Sequence, residues 1–149
     1  MRIEVFWIGK TRLPGAAALT EEYSRRLGRY CEFHGTEARP AKRKVERTSE
    51  EETMLTRSAG SFRVVMDAAG TQWSSAEFCR FLGRLRDQSQ RTVCFCVGGA
   101  DGFSNGFRER ADLLLSLSPL TLPHELARLV LLEQLYRAFT TLAGHPYPR

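Results

Sequence analysis

Thr92-Val-Cys-Phe-Cys-Val97, followed at once by Gly98-Gly-Ala-Asp-Gly102, is the stretch on which the fold turns. Six residues with almost no polar side chain suit a central parallel strand whose two faces are both covered by helices. The glycine-rich run reads as a tight turn at the carboxyl end of that strand, where glycine permits positive φ and close backbone approach. On either side of it, Arg2–Ile8, Ser61–Asp67 and Leu113–Ser116 read as strands, and a shorter one fits near Cys31–Ala38. Helical spacing appears over Leu13–Tyr30, Glu50–Ser58, from Ser74 or Ser75 to Asp87, Phe103–Arg110 and Thr121–Ala143. Ser75-x-x-Phe78 lacks a full capping box. Asp67-Ala-Ala-Gly70 reads as a turn, and His145-Pro-Tyr-Pro-Arg149 as a tail that cannot be helical. Strands alternating with helices give an α/β class with a mainly parallel sheet flanked by helices. With no repeat and no long linker, residues 1–149 are expected to form one domain.

Composition narrows the function classes. The chain has 149 residues, 42% of them hydrophobic, which is enough for a real core and excludes general disorder. A net charge of +5 mildly favours an anionic partner such as nucleic acid. Met1-Arg-Ile-Glu-Val lacks a secretory core, and the most apolar stretch, Leu126–Leu142, carries Arg128, Glu133 and Arg137. A cytoplasmic protein with no membrane partner is expected. The four cysteines form no C-x-x-C pair and the three histidines are far apart, so no metal is expected. Strand alternation points Cys94 and Cys96 to one face. They read as buried reduced thiols, with a thiol-based redox protein as the competing reading.

Two segments suggest a pocket. Gly98-Gly99-x-x-Gly102 is neither a dinucleotide fingerprint, since no acid follows about twenty residues on, nor a phosphate loop with Gly-Lys-Ser/Thr. A tight strand-to-helix turn without a ligand has the same pattern. Leu117-Ser-Pro-Leu-Thr-Leu-Pro-His124 is an apolar loop, which must be buried or line a site for a flat heteroaromatic ring. The helix after it is apolar nearly all round, so its second side is expected to meet a partner subunit. Glu133 and Arg137 stand i, i+4 in the favourable order, consistent with a structural ion pair as much as a functional role. His124 reads as either a polar cap neighbour or a ligand contact. Arg39–Arg47, with Arg39, Lys42, Arg43 and Lys44, reads as a solvated loop or as a phosphate-contacting one.

The chain resembles the RlmH-type methyltransferases of the SPOUT class, which methylate N3 of a pseudouridine in bacterial 23S ribosomal RNA. The resemblance spans the whole chain. It is carried by Trp7-Ile-Gly-Lys10, Glu22-Tyr-x-x-Arg26-Leu, Asp67-x-x-Gly70, Val97-Gly-Gly-Ala-Asp-Gly102, Leu117–His124, Leu132-Glu-Gln-Leu-Tyr-Arg137-Ala and His145-Pro-Tyr147. It implies a C-terminal trefoil knot, a homodimer with its site at the interface, and the RNA of an assembled ribosome as substrate. It places S-adenosylmethionine among Met66, Gly99, Leu117, Ser118, Pro119, Leu120, Thr121 and Leu122. RNA contacts then fall to Arg39, Lys42, Arg43, Lys44 and Arg149.

Methyl transfer from a sulfonium is an in-line displacement, so the protein must position the reactants and help a pyrimidine N–H lose its proton. Arg137, His124, His145 and Tyr147 are the candidates, with no one of them fixed as the base. The family tail reads Pro-Tyr-His followed by a basic residue, whereas this chain has Pro148 and Arg149. A ribosome- or RNA-binding protein of the same fold is the alternative that this departure motivates.

Overall fold

The computed structural model describes residues 1–39 and 44–147, the side chains of 44–48 excepted. Five strands alternate with five helices: β1 (Arg2–Ile8), α1 (Pro14–Leu27), β2 (Glu32–Ala38), α2 (Lys44–Arg57), β3 (Phe62–Gln72), α3 (Ser75–Asp87), β4 (Thr92–Val97), α4 (Asn105–Glu109), β5 (Leu113–Ser116) and α5 (His124–Leu142). The strands form one sheet in the order β2-β1-β4-β3-β5, with every pairing parallel. β1 and β4 lie inside it and run in register from Arg2↔Thr92 to Trp7↔Val97.

Alternation along these strands feeds two cores. Ile3, Val5, Trp7, Val93, Phe95 and Val97 meet α1, α3 and α5. Phe6, Ile8, Cys94 and Cys96 meet Met54 of α2 and Phe107 of α4 on the other face. All ten are buried, as expected of strands covered on both sides. The Cys94 and Cys96 sulfurs lie 3.9 Å apart with no exposed surface. Gly35, opposite Val5 on β2, makes room for the Trp7 indole, which would come within 2.7 Å of any Cβ there.

α2 and β3 differ in extent from the sequence reading, and α3 differs in its cap. α2 starts at Lys44, not Glu50, so the end of the basic segment is helical. Lysine, arginine and glutamate are good helix formers, so a run rich in them suits a helix as well as a loop. β3 does not stop at Asp67: Leu115 of β5 pairs with both Met66 and Thr71, so 67–70 is a bulge inside the strand. Asp67 Oδ1 accepts the Ala69 amide at 2.8 Å, and Gly70 faces β5 where a Cβ would stand 2.6 Å from the Leu114 carbonyl carbon. A full capping box starts at Ser74, one residue before Ser75-x-x-Phe78. Ser74 Oγ accepts Glu77 N at 3.2 Å, and Glu77 Oε2 accepts Ser74 N at 2.7 Å.

α5 lies across α1 and α3. Leu131, Leu132, Leu135, Ala138 and Phe139 fill the core, but Leu126 remains 39% exposed. Leu13 and Leu19 are about half exposed and Leu120 is 76% exposed, so the chain alone leaves large apolar side chains in water. Among the described residues, no helix is long and apolar enough to cross a membrane.

Candidate active site

Parallel α/β sheets place ligands beyond the carboxyl ends of their strands. There, at the ends of β3, β4 and β5, the chain has a cleft of about 730 Å³. One wall is the Gly98–Gly102 turn. The facing wall is the β5–α5 loop, and Met66 with the bulge closes the third side.

The glycine turn folds back on itself. Gly102 takes φ +64° and its amide donates to Gly99 O at 3.1 Å, and a Cβ on Gly98 would stand 3.1 Å from Gly102 Cα. Ile8 of β1 packs beneath Gly99. The turn is anchored at Ser104, whose amide and hydroxyl both donate to the buried Glu51 carboxylate of α2 while its Oγ caps α4. On the bulge, Asp67 is tied to Arg108 of α4 at 2.8 Å. In the β5–α5 loop, Ser116 Oγ donates to Ser118 O at 3.0 Å, and Ser118 Oγ accepts the Leu120 amide at 2.9 Å. These short-range bonds, with Pro119, fix the bend of an otherwise apolar loop.

Met66, Gly99, Leu117, Ser118, Leu120, Thr121 and Leu122 thus line one cleft, although they come from three separate stretches of sequence. Pro119 is exposed and does not stand on the wall, because the Ser118–Leu120 turn directs it outward. His124, on the first turn of α5, also lines the cleft.

Arg137, His145 and Tyr147 lie elsewhere. Arg137 lies thirteen positions beyond His124 on the helix, about 20 Å at 1.5 Å per residue. At that far end Arg137 Nη2 is 2.7 Å from Glu133 Oε1, and its guanidinium lies 5.3 Å from the Tyr147 ring centroid. Tyr147 shares a hydrogen bond of 3.0 Å with the Tyr23 hydroxyl and sits edge-on to Tyr136. Burial, then the Tyr23 hydrogen bond and the Glu133 charge, push the Tyr147 hydroxyl well above the ordinary tyrosine range. His145 Nδ1 and Tyr30 Oη share a hydrogen bond of 2.9 Å. One chain therefore holds its candidate catalytic residues in two places. Of the candidate RNA contacts, Arg39 follows β2, and Lys44 opens α2 with its side chain outside the described residues, as are Lys42, Arg43 and Arg149.

A clamp between α5 and the loop after β1 is not evident from local sequence. Arg128 of α5 has no exposed surface and donates to Gly9 O at 2.9 Å and Thr11 Oγ1 at 2.8 Å. Its neighbour Glu125, also buried, accepts the amides of Arg12 and Leu13. The signal in the sequence is a second acid–base pair, Glu125 and Arg128, in the first turns of a mainly apolar helix that also carries Glu133 and Arg137.

A parallel sheet with this cleft between a glycine turn and a bent apolar loop has the architecture of a SPOUT-class methyltransferase. Residues 1–148 match the family model described as "Predicted SPOUT methyltransferase". The "Ribosomal RNA large subunit methyltransferase H" of Thermus thermophilus is 46% identical over 149 residues, covering 100% of this chain and 99% of that one. The protein of the same name from Koribacter versatilis is 41% identical over 152 residues, covering 99% and 97%. The chain belongs to the ribosomal RNA large subunit methyltransferase H family of SPOUT methyltransferases. Its fold is shared at low sequence identity by a tRNA methyltransferase of Aquifex aeolicus (TM-score 0.61, 12% identical, 100% of this chain and 75% of that one). A methyltransferase of Legionella pneumophila, solved "in complex with the bound cofactor SAM", is also similar (TM-score 0.53, 18% identical, 93% and 66%).

Proposed function

We propose that this chain transfers a methyl group from S-adenosylmethionine to N3 of a pseudouridine in 23S ribosomal RNA of the assembled ribosome. It would act in the cytoplasm as a homodimer, with its C-terminal part threaded as a trefoil knot. The observation that carries this reading is the cleft, in which the glycine turn and the β5–α5 loop face each other. The names of its full-length relatives support the RNA substrate.

The cleft suits the cofactor. Its volume of about 730 Å³ lies in the usual range for small-molecule sites. Leu117, Leu120 and Leu122 offer an apolar wall for a flat base, and the glycine turn lets backbone approach closely. Met66, Gly99 and Leu117–Leu122 would hold the group, Pro119 by stiffening the loop. When bound, it supplies an electrophilic methyl on a sulfonium.

The remaining work falls to side chains. The pyrimidine N3 must lose its proton, and a cation beside it would stabilise the resulting anion. Arg137 is the candidate cation. A tyrosine is already protonated at neutral pH, and the upward push on the Tyr147 hydroxyl makes it a still weaker acid, so it would donate a hydrogen bond rather than accept the proton. His124 would handle protons or contact the base from the cleft side. The distance along α5 keeps these groups apart in one chain, so the tail of a second copy would complete the site. The exposed Leu13, Leu19, Leu120 and Leu126 are apolar surface that such a dimer would cover.

The test is radiolabel transfer from S-adenosylmethionine to ribosomes lacking the modification, with the product nucleotide mapped by mass spectrometry. Transfer to N3 of a single pseudouridine is the expected result. No transfer beside an active control enzyme overturns the reading. Ribosome binding without cofactor binding in calorimetry would favour the RNA-binding alternative that Pro148 motivates.

A further inference from the structure

The loop from Gly9 to Leu13 joins β1 to α1 at the edge of the sheet where the cleft opens. α5 clamps its backbone twice. Arg128 takes Gly9 O and Thr11 Oγ1, and Glu125 takes the Arg12 and Leu13 amides. Gly9 has φ +94°, and a side-chain carbon placed on it would stand 3.9 Å from both Arg128 Nη2 and His124 Nε2. The loop therefore abuts the histidine that lines the cleft. Keeping a guanidinium with no exposed surface is costly unless its bonds fix something worth fixing. The acids near Arg128 are Glu125 and Glu37. Lys10 and Arg12, by contrast, are exposed, and no ion pair holds either side chain among the described residues. A loop with a clamped backbone and two solvent-facing cations presents charge and covers no core.

We infer that Lys10 and Arg12 bind the phosphodiester backbone of the RNA strand that feeds a base into the cleft, with Arg128 and Glu125 as positioning residues. This rests on the RNA-methyltransferase reading and adds a contact surface to it. Lysine and arginine held at a fixed distance from a reaction centre set register on a strand without reading its sequence.

The test uses the full-length protein and ribosomes lacking the modification. Ribosome binding is measured by filter retention over a range of salt, separately from methyl transfer. In the Lys10→Ala/Arg12→Ala variant the log–log salt slope should fall by about two, one per phosphate contact removed. The KM for ribosomes should rise several-fold, with no change in cofactor Kd. Arg128→Lys keeps the charge but loses the guanidinium whose Nη1 holds both Gly9 O and Thr11 Oγ1, and it should raise the same KM with cofactor Kd intact. An unchanged salt slope in the double variant overturns the assignment. Failure of the wild-type chain to methylate counts against the proposed function alone, because the binding measurement does not depend on transfer.

Discussion

Arg137 Nη2 stands 2.7 Å from Glu133 Oε1, one turn earlier on α5, and the same guanidinium faces the ring of Tyr147. Both ends of the pair are partly exposed, at 31% and 21% of their side-chain surface. An ion pair in that setting is worth about 1 kcal/mol or less. Arg137→Ala should therefore lower the thermal midpoint by only about 2–4 °C in a chain of this length. Loss of a cation that stabilises a developing anion costs far more, about 100-fold in rate. Methyl transfer should fall by that order while S-adenosylmethionine affinity holds. Equal losses of both, or outright unfolding, would make Arg137 a structural residue.

Gly99 and Gly70 separate ligand space from fold space. A Cβ on Gly99 meets Ile8 at 3.4 Å, an ordinary contact, and Gly99 itself lines the cleft, so a valine there thickens the wall and disturbs the turn the cofactor would lie against. Gly99→Val should fold and lose at least about tenfold in cofactor affinity, equal to roughly 1.4 kcal/mol. Gly70→Val instead drives a side chain into the Leu114–Leu115 backbone, 2.6–2.7 Å away. It should destabilise the protein by about 3 kcal/mol or more. Calorimetric titration and denaturant unfolding measure the two effects. Unchanged cofactor affinity in the Gly99 variant would refute the placement of the ligand.

What could be read from the chain follows from how local the signal is. β1, β4 and β5 are marked by their own polarity patterns, and their observed bounds match those expected. Both walls of the cleft were visible as glycine and apolar-loop anomalies. β3 runs past its apparent turn because Asp67 and Gly70 serve a bulge against β5, whose Leu114, the residue Gly70 faces, is 44 residues away. The hold of Arg128 on Gly9 spans 119 residues, so only the oddity of a charge in an apolar helix hinted at it. The separation of His124 from Arg137 was legible in principle from helical rise. The tail cluster around Tyr147 was not, since it depends on how α1 lies against α5.

Glu125 gives the fold a defined acid sensitivity. The hydrogen bond from the Arg12 amide, and then that from Leu13, hold its carboxyl below the usual value of 4.5. A carboxylate with a lowered folded pKa contributes stability above its unfolded pKa, and loses it as pH falls through the folded one. The contribution is thus present at neutral pH and lost below about pH 4.5. Glu125→Gln should be less stable than wild type at pH 7 and show a shallower loss of stability below pH 4.5. Chemical denaturation at a series of pH values checks this. Parallel acid limbs in the two proteins would mean that the bonds to the Arg12 and Leu13 amides contribute nothing.

Cys94 and Cys96 decide the redox alternative. Their sulfurs are in contact, yet both are fully buried between β4 and the α2/α4 layer. The hydrogen bond to Cys96, together with burial, pushes the Cys94 thiol far above the ordinary range. The thiolate is the reactive form, so a thiol with a raised pKa and no exposed surface is inert. Alkylating reagents at neutral pH should leave both residues unlabelled in the native protein and modify them only after denaturation. Cys94→Ser/Cys96→Ser places two hydroxyls in an apolar layer and should cost stability, about 1–3 kcal/mol for each hydroxyl left unpaired. Any methyl transfer measured below the unfolding midpoint should survive. Rapid labelling of the native protein, or loss of transfer in a variant that still folds and binds S-adenosylmethionine, would return the thiols to the chemistry.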